Sequence, residues 1–352
     1  MTDIVIRPEG VEFGGRTYSI VDGLSMPTPE RKWFEQYRSG AIGCVNTTIS
    51  VWENASETLA LLGKWRNVLA ANSDLVAQAT SVEEIEAIRK SGRTALVFGF
   101  QNTAPCEHNL DLFGAFRDLG VCIMQLTYNL QNYIGSGYWE AKDTGISSRF
   151  GKLALEEMAK VGLLVDLSHC GERTTLDAIE MSPRPVSITH ANPREYVGAG
   201  GYGAGRAKTT EAIKALAKRK GVIGLSPNRN MTKNLAATTL EEFGDMVAWV
   251  VDLIGVDAVG IGTDYCPGHP NTVRNWWRFA RWSRETAPAE SMKIAPHEGW
   301  SEWMKTQAGL ANVVQELARR GFKPDEIEKI MGGNWLRLFG ETFVPAVAPD
   351  RG

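Results

Sequence analysis

Residues 150–169 read FGKLALEEMAKVGLLVDLSH, and this stretch decides the fold. Its first part, 150–161, is amphipathic. Its second, 162–168, is continuously apolar and ends on Asp166-Leu167-Ser168-His169. A helix running straight into a strand without polar alternation is the unit of a parallel sheet covered on both faces. The same alternation continues in both directions. Strand-like runs fall at about 17–22, 42–48, 94–100, 121–127, 162–168, 185–190, 221–226 and 258–263, with helix-like segments such as 56–71, 81–91, 209–220 and 240–254 between them. Eight such units predict a (β/α)8 barrel of the TIM type. A doubly wound sheet is the competitor, and no glycine-rich dinucleotide fingerprint follows the first strand to favour it.

We expect a single domain over 1–352, with no internal repeat or linker. The glycine-rich 198–205 (GAGGYGAG) reads as a flexible loop or lid. A Trp-rich insertion at about 266–307 follows strand eight, and 276–303 holds five of the eleven tryptophans. Two further helices, 309–320 and 324–331, form a C-terminal helical extension leading to Gly332-Gly333-Asn334-Trp335-Leu336-Arg337.

A formal charge of -3 with 22% charged residues gives no footprint for nucleic acid or a membrane surface. No apolar run reaches transmembrane length, and Met1-Thr2-Asp3-Ile4 does not open a signal peptide. Five cysteines without framework spacing suit a reducing compartment, so the expected location is cytoplasmic.

Barrel enzymes gather their chemistry at the carboxyl ends of strands. Strand three ends on Gln101-Asn102, strand four on Thr127-Tyr128-Asn129, strand five on Ser168-His169, strand six on Thr189-His190 and strand eight on Thr263-Asp264. Two of only five histidines therefore end consecutive strands. One strand-end histidine is most often a hydrogen-bonded structural residue. Two on neighbouring strands, with an aspartate ending the last, suit zinc and proton transfer. Gln101 could be a weak neutral ligand or a polar pocket residue. Tyr128, Asn129 and Gln101 are placed with the substrate. Arg206, before the next helix, could clamp a carboxylate through two parallel hydrogen bonds or be a solvated loop residue. Cys170 and Cys266 raise a weaker thiol alternative, and Glu140 could restore charge or be solvated. In 21–27 (VDGLSMP) a strand is expected to break into a loop, with Leu24 and Met26 where a His-x-Asp pair would reach for a metal.

These residues resemble the membrane dipeptidase family (renal dipeptidase-like, peptidase family M19) of amidohydrolase-like barrels. The resemblance runs from Val21 to about Phe339. It rests on 163–169 (LLVDLSH) followed by Thr174, 185–190 (PVSITH), 258–264 (AVGIGTD) and 332–337 (GGNWLR). It implies a zinc barrel hydrolysing dipeptides, with two metals bridged by a glutamate. His169 and His190 match the histidines of the second metal, Asp264 the proton shuttle, and Arg206 the arginine gripping the substrate carboxylate. The usual Arg-Asn pair is Arg-Ala here. The family's Asp-Gly-His-x-Asp motif falls on Asp22-Gly23-Leu24-Ser25-Met26, the bridging glutamate on Gln101, and a histidine near the substrate on Tyr128. The first metal position is therefore expected to be empty, leaving one zinc or none.

Three functions compete. The first is a hydrolase of a dipeptide or other small amide carrying a carboxylate, with Asp264 and Tyr128 catalytic and His169 and His190 on zinc. The second is a lyase or metal-free acid–base catalyst using Asp264, Tyr128 and His169. The third is a catalytically silent small-molecule binder. The tryptophans would suit a cationic substrate, core packing or a dimer contact. A homodimer is expected from the resemblance alone.

Overall fold

The computed structural model describes residues 3–146, 148–198, 205–279 and 300–344. Most of the expected lid at 198–205 and the middle of the Trp-rich insertion lie outside the described residues. The chain opens with an antiparallel three-stranded sheet, β1 (Val5–Arg7), β2 (Gly10–Phe13) and β3 (Arg16–Tyr18). The barrel follows as β4 (Ile20–Ser25), β5 (Ile42–Ser50), β7 (Thr94–Phe100), β8 (Val121–Gln125), β9 (Leu164–Asp166), β10 (Ser187–Ile188), β11 (Val222–Leu225) and β12 (Val259–Ile261). All are parallel to their neighbours; β12 pairs with β4, and β5 with β7, which closes the ring. A short β6 (Val76–Gln78) lies beside Thr94–Leu96 of β7 before β8 takes over that edge at Phe98.

The expected first strand, 17–22, is two strands. Arg16–Tyr18 belongs to the small sheet, and Ile20–Ser25 is the barrel strand. The break expected in 21–27 is displaced accordingly. Asp22 and Ser25 pair with Val45 and Thr47, and every residue of β4 is buried. Pairing on both edges overrides the local turn preference of Asp-Gly, as tertiary context overrides strand propensity.

Successive strand residues face opposite ways. Leu96, Phe98 and Phe100 pack outward with Phe34, Trp65, Phe113 and Phe116. Ala95 and Val97 pack inward with Ile123, Leu164, Val222 and Trp335. Each large apolar side chain buried this way contributes about 1.5–3 kcal/mol. Local signals agree with the helices. Ser81 caps Val82–Lys90 by accepting the Glu84 amide, while Glu84 reaches back to Thr80 rather than to Ser81.

The C-terminal extension runs through Ala311–Arg319 and Pro324–Glu328 into Asn334–Thr342. Leu338 and Phe339 of the last helix join the inner cluster, and Trp335 enters it between strands, donating Nε1–H to the Ile261 carbonyl at 3.0 Å. A Cβ at Gly23 would meet the Trp335 ring at 2.6 Å, and one at Gly260 would meet it at 2.5 Å. Glycine there makes room for the indole.

Candidate active site

The ends of β4, β8, β9 and β12 surround one cavity. Met26, Tyr128, Asn129, His169 and Asp264 line it, with Arg206, Tyr138, Asn228, Asn230 and Met231 from the loops. Cys266 and the helix Asn271–Phe279 close another side through Arg274, Trp277 and Arg278. The helix is tied to the barrel rim by Trp52 Nε1–H on the Trp277 carbonyl (2.8 Å) and Asn129 Nδ2–H on the Arg278 carbonyl (3.0 Å).

That second bond fixes the Asn129 amide, so its oxygen faces His169 Nδ1 at 2.7 Å and makes that nitrogen the donor. His190 Nδ1 lies 2.8 Å from Thr189 Oγ1, which gives its own hydrogen to Asp166 Oδ2. His190 must therefore also be protonated on Nδ1. Both imidazoles are held neutral, because burial and then the Arg206 charge push their pKa well below the ordinary value. Their unprotonated Nε2 atoms face each other at 3.2 Å. Two lone pairs aimed at one point repel unless an electrophile lies between them. Two zinc–nitrogen bonds of about 2.0–2.1 Å at a tetrahedral angle set their nitrogens about 3.3–3.4 Å apart. The Tyr128 ring stacks on His169, with centroids 4.1 Å apart, and fixes its plane.

Asp264 Oδ1 lies 4.0 Å from His190 Nε2, while Oδ2 accepts from Arg206 Nη1 (3.2 Å) and Asn228 Nδ2 (2.9 Å). No group of three ligating side chains is assembled among the described residues. Burial raises the Asp264 pKa against the opposing pull of Arg206 and Asn228. Burial opposes the Arg206 charge, but Asp264, Tyr138 and Tyr128 together hold its pKa up. Arg206 also donates Nη2 to the His190 carbonyl at 3.2 Å. Asn129 and Asp264 both adopt left-handed backbone, at φ 56° and 55°. This conformation is uncommon outside glycine, though Asn and Asp tolerate it best. It turns each strand end toward the cavity.

Behind these groups lie two aspartates to which the sequence assigned no role. Asp166 accepts the Thr189 amide (2.8 Å) and hydroxyl and the Ser168 amide and hydroxyl, fixing Thr189 immediately before His190. Asp22 accepts the Thr263 amide (2.8 Å) and hydroxyl (2.6 Å), the Leu24 amide and the Gln307 side chain, fixing Thr263 before Asp264. Burial raises both carboxyls against these donors, Asp22 to about 7. Lys208, also buried, holds the Cys170 carbonyl next to His169 at 2.7 Å.

His169, Asp264, Arg206, Tyr128 and Asn129 thus line one cavity, and His190, fully buried, lies against His169 and Asp264, whereas Gln101 does not line the cavity. It lies behind Met26 and donates to Thr48 Oγ1 (2.9 Å), with its oxygen buried and unpaired among the described residues. Glu140 does not line the cavity and accepts the Gln131 amide at 2.6 Å. Leu24 is buried, and Met26 packs with Val51, Trp52, Tyr128 and Trp277. Burial drives the Cys170 thiol up to about 11 and Cys266 to about 12, the reverse of an activated nucleophile. Tyr138, Asn228, Arg274 and Arg278 were missed. The signal for the last two was their i, i+4 spacing, which puts both on one helix face.

The family model for membrane dipeptidase (peptidase family M19) matches residues 27–282. Dipeptidase tcpJ of Claviceps purpurea is 25% identical over 288 residues, covering 81% of this chain and 60% of that protein. Dipeptidase aclJ of Aspergillus oryzae is 22% identical over 274 residues, covering 76% of this chain. The chain spans 60% and 57% of the length of these two relatives. Among solved structures, an amidohydrolase from Pseudomonas aeruginosa superposes with a TM-score of 0.84 at 29% identity, covering 93% of this chain and 97% of that one. A metallo peptidase from Rhodobacter sphaeroides, liganded with a phosphinate mimic of L-Ala-D-Ala, gives 0.74 at 14% identity, over 93% and 100%. The latter likeness speaks for the fold.

Proposed function

The chain belongs to the membrane dipeptidase family, peptidase family M19, and from that premise we propose that it hydrolyses a dipeptide or other small amide at a site reduced to one zinc. The observation that carries this reading is the pair of neutral, outwardly anchored imidazoles with bare Nε2 atoms 3.2 Å apart. Zinc held by His169 and His190 would supply a Lewis acid beside the scissile carbonyl. The cluster of Met26, Val51, Trp52, Tyr128 and Trp277 supports one metal rather than two, since apolar side chains surround Met26 and Leu24 is buried. Gln101 brings no charge to bridge a second.

The residues of the chain divide the remaining work. Asp264 is half-buried next to Arg206 and reaches the cavity, so its carboxylate can take a proton from the attacking water and return it to the leaving amine. Arg206 offers a rigid fork for the substrate carboxylate, and its Nε is buried without a partner among the described residues. Tyr128 holds His169 in plane and faces the same cavity. All five cysteines are free, which supports a reducing, cytoplasmic setting; no helix among the described residues is long and apolar enough to cross a membrane.

Elemental analysis of protein purified without added metal, paired with a dipeptide hydrolysis assay, tests this reading. About one equivalent of zinc with hydrolysis is expected. Two equivalents would sink the one-metal site. None, with activity retained, would replace it by metal-free acid–base chemistry through Asp264, Tyr128 and His169.

A further inference from the structure

The loops after β5, β7 and β8 enclose a second cavity of about 830 Å³ on the same carboxyl-end face, and none of its lining residues lines the first. Its size falls within the range of small-molecule sites, about 300–1,000 Å³. Trp52, Glu53, Asn102, Glu107, His108 and Tyr133 give it its chemistry. Among the described residues neither Glu53 nor Glu107 has a cationic partner, and no Lys or Arg lines the cavity. Glu53 Oε2 accepts the Val51 amide (2.7 Å), the Trp52 amide (3.1 Å) and the Ser50 hydroxyl (3.0 Å), which leaves Oε1 without a partner among the described residues. Tyr133, 63% exposed, packs its ring on His108 with centroids 5.3 Å apart. A separate observation points to a ligand. Asn132 Oδ1 accepts the Ile134 amide (2.8 Å), so Asn132 Nδ2 is the donor that Asn102 Oδ1 accepts (2.9 Å). Asn102 Nδ2 is left as a bare donor, buried and without a partner among the described residues. Asn132 Nδ2 also reaches the Leu126 carbonyl at 2.7 Å and so ties the β8 loop to the β7 loop. The cavity is formed before any ligand arrives.

We propose that this cavity is a second binding site, for a free small organic cation such as a methylated ammonium that carries an oxygen beside its charge. The rings of Trp52 and Tyr133 attract a cation through their negative faces, and the two carboxylates add Coulombic attraction. Asn102 Nδ2 regains the hydrogen bond that burial denies it when the ligand brings an acceptor. A methylated ammonium is weakly hydrated and lays an apolar surface on the rings. A metal ion would need a cage of oxygen or nitrogen ligands, and no such group is assembled among the described residues. The site stands whether or not the neighbouring cavity hydrolyses amides.

Calorimetric titration of the purified protein with choline and with neohexanol, its uncharged carbon isostere, tests this apart from catalysis. Choline is expected to bind about tenfold tighter or more, equivalent to about 1.4 kcal/mol. The ratio should fall toward one in the E53Q/E107Q double variant, in which an amide oxygen at position 53 can still accept from the rim. Should that variant not fold, Tyr133→Ala decides at an exposed side chain, and it should weaken choline several-fold. Tetramethylammonium, which lacks the oxygen, should bind more weakly than choline. Equal affinities for any of these pairs, a charge preference that survives in the double variant, or no loss in Tyr133→Ala would overturn the proposal. Phosphatidylcholine vesicles present the same cation on a surface and should leave the protein in the supernatant; co-sedimentation would overturn the assignment to a free ligand.

Discussion

At the corner between β9 and β10, Asp166 accepts the Thr189 amide at 2.8 Å, its hydroxyl at 2.7 Å and the Ser168 amide at 3.2 Å. At the corner between β4 and β12, Asp22 accepts the Thr263 amide at 2.8 Å, its hydroxyl at 2.6 Å and the Leu24 amide at 3.2 Å. Three bonds of each clamp match, the fourth coming from the Ser168 hydroxyl at Asp166 and from the Gln307 side chain at Asp22, and each holds a threonine followed by a polar residue of the site, His190 or Asp264. They diverge on the other strand. Asp166 is followed by Ser168-His169, and Asp22 by Leu24-Ser25-Met26. The carboxylate clamp is thus a device for joining strand ends, and ligands are an addition that one corner carries and the other lacks.

The widest separation between the corners should appear in catalysis. Asp264→Asn is expected to lower kcat by about 10²–10⁴ while leaving the zinc content intact. His190→Ala should lose zinc and activity together, as read by elemental analysis and steady-state kinetics. Next come the clamps themselves. Asp166→Ala and Asp22→Ala each orphan at least two buried donors, at about 1–3 kcal/mol apiece, so both should lower the urea midpoint by a similar amount. Only Asp166→Ala should also weaken zinc binding. Equal zinc loss in Asp22→Ala would erase the distinction. More modestly, Asn129→Ala frees the outer nitrogen of His169 and should weaken zinc about 10–100-fold in competition with a chelator.

The smallest expected effect is on pH dependence. Burial raises the folded pKa of Asp22 to about 7, so its contribution is fully present below the unfolded carboxylate value and lost as pH rises through about 7. Wild type should therefore lose its stability advantage over Asp22→Asn across that window, and Asp166→Asn should show the same sign. The histidines act oppositely. Their depressed folded pKa removes stability as pH falls below the ordinary imidazole value. Denaturant titrations at several pH values check both.

All eight barrel strands were legible because strands buried on both faces are apolar without interruption. The split between Tyr18 and Ile20 was not, since two β-rich runs separated by one residue look like one strand. The helices Arg31–Ser39, Asp111–Asp118 and Glu172–Met181 were not among the segments singled out, and each buries only a narrow stripe, such as Phe34 and Tyr37 or Phe113 and Phe116. The convergence of His169, His190 and Asp264 followed from their positions at strand ends. The displacement of Gln101 could not follow, because it depends on Met26 occupying the intervening space. Arg274 and Arg278 belong to a helix beyond the eighth strand, and only tertiary contact brings that helix back over the rim.

Trp335 changes how the surviving half of a motif should be understood. Asp22-Gly23 persists where the two following ligand positions hold leucine and methionine, although the four positions look like one signature. Each survivor has an occupation elsewhere. Asp22 secures Thr263, and Gly23 cedes its side-chain space to an indole arriving from the opposite end of the chain. The signature is therefore two overlapping demands, architectural and chemical, written in adjacent letters. A chain can shed the second without loosening the first, so Asp-Gly at this strand, like Gly-Gly-Asn-Trp at the C-terminus, testifies to a barrel correctly shut. Whether that barrel still holds metals must be asked of its neighbours.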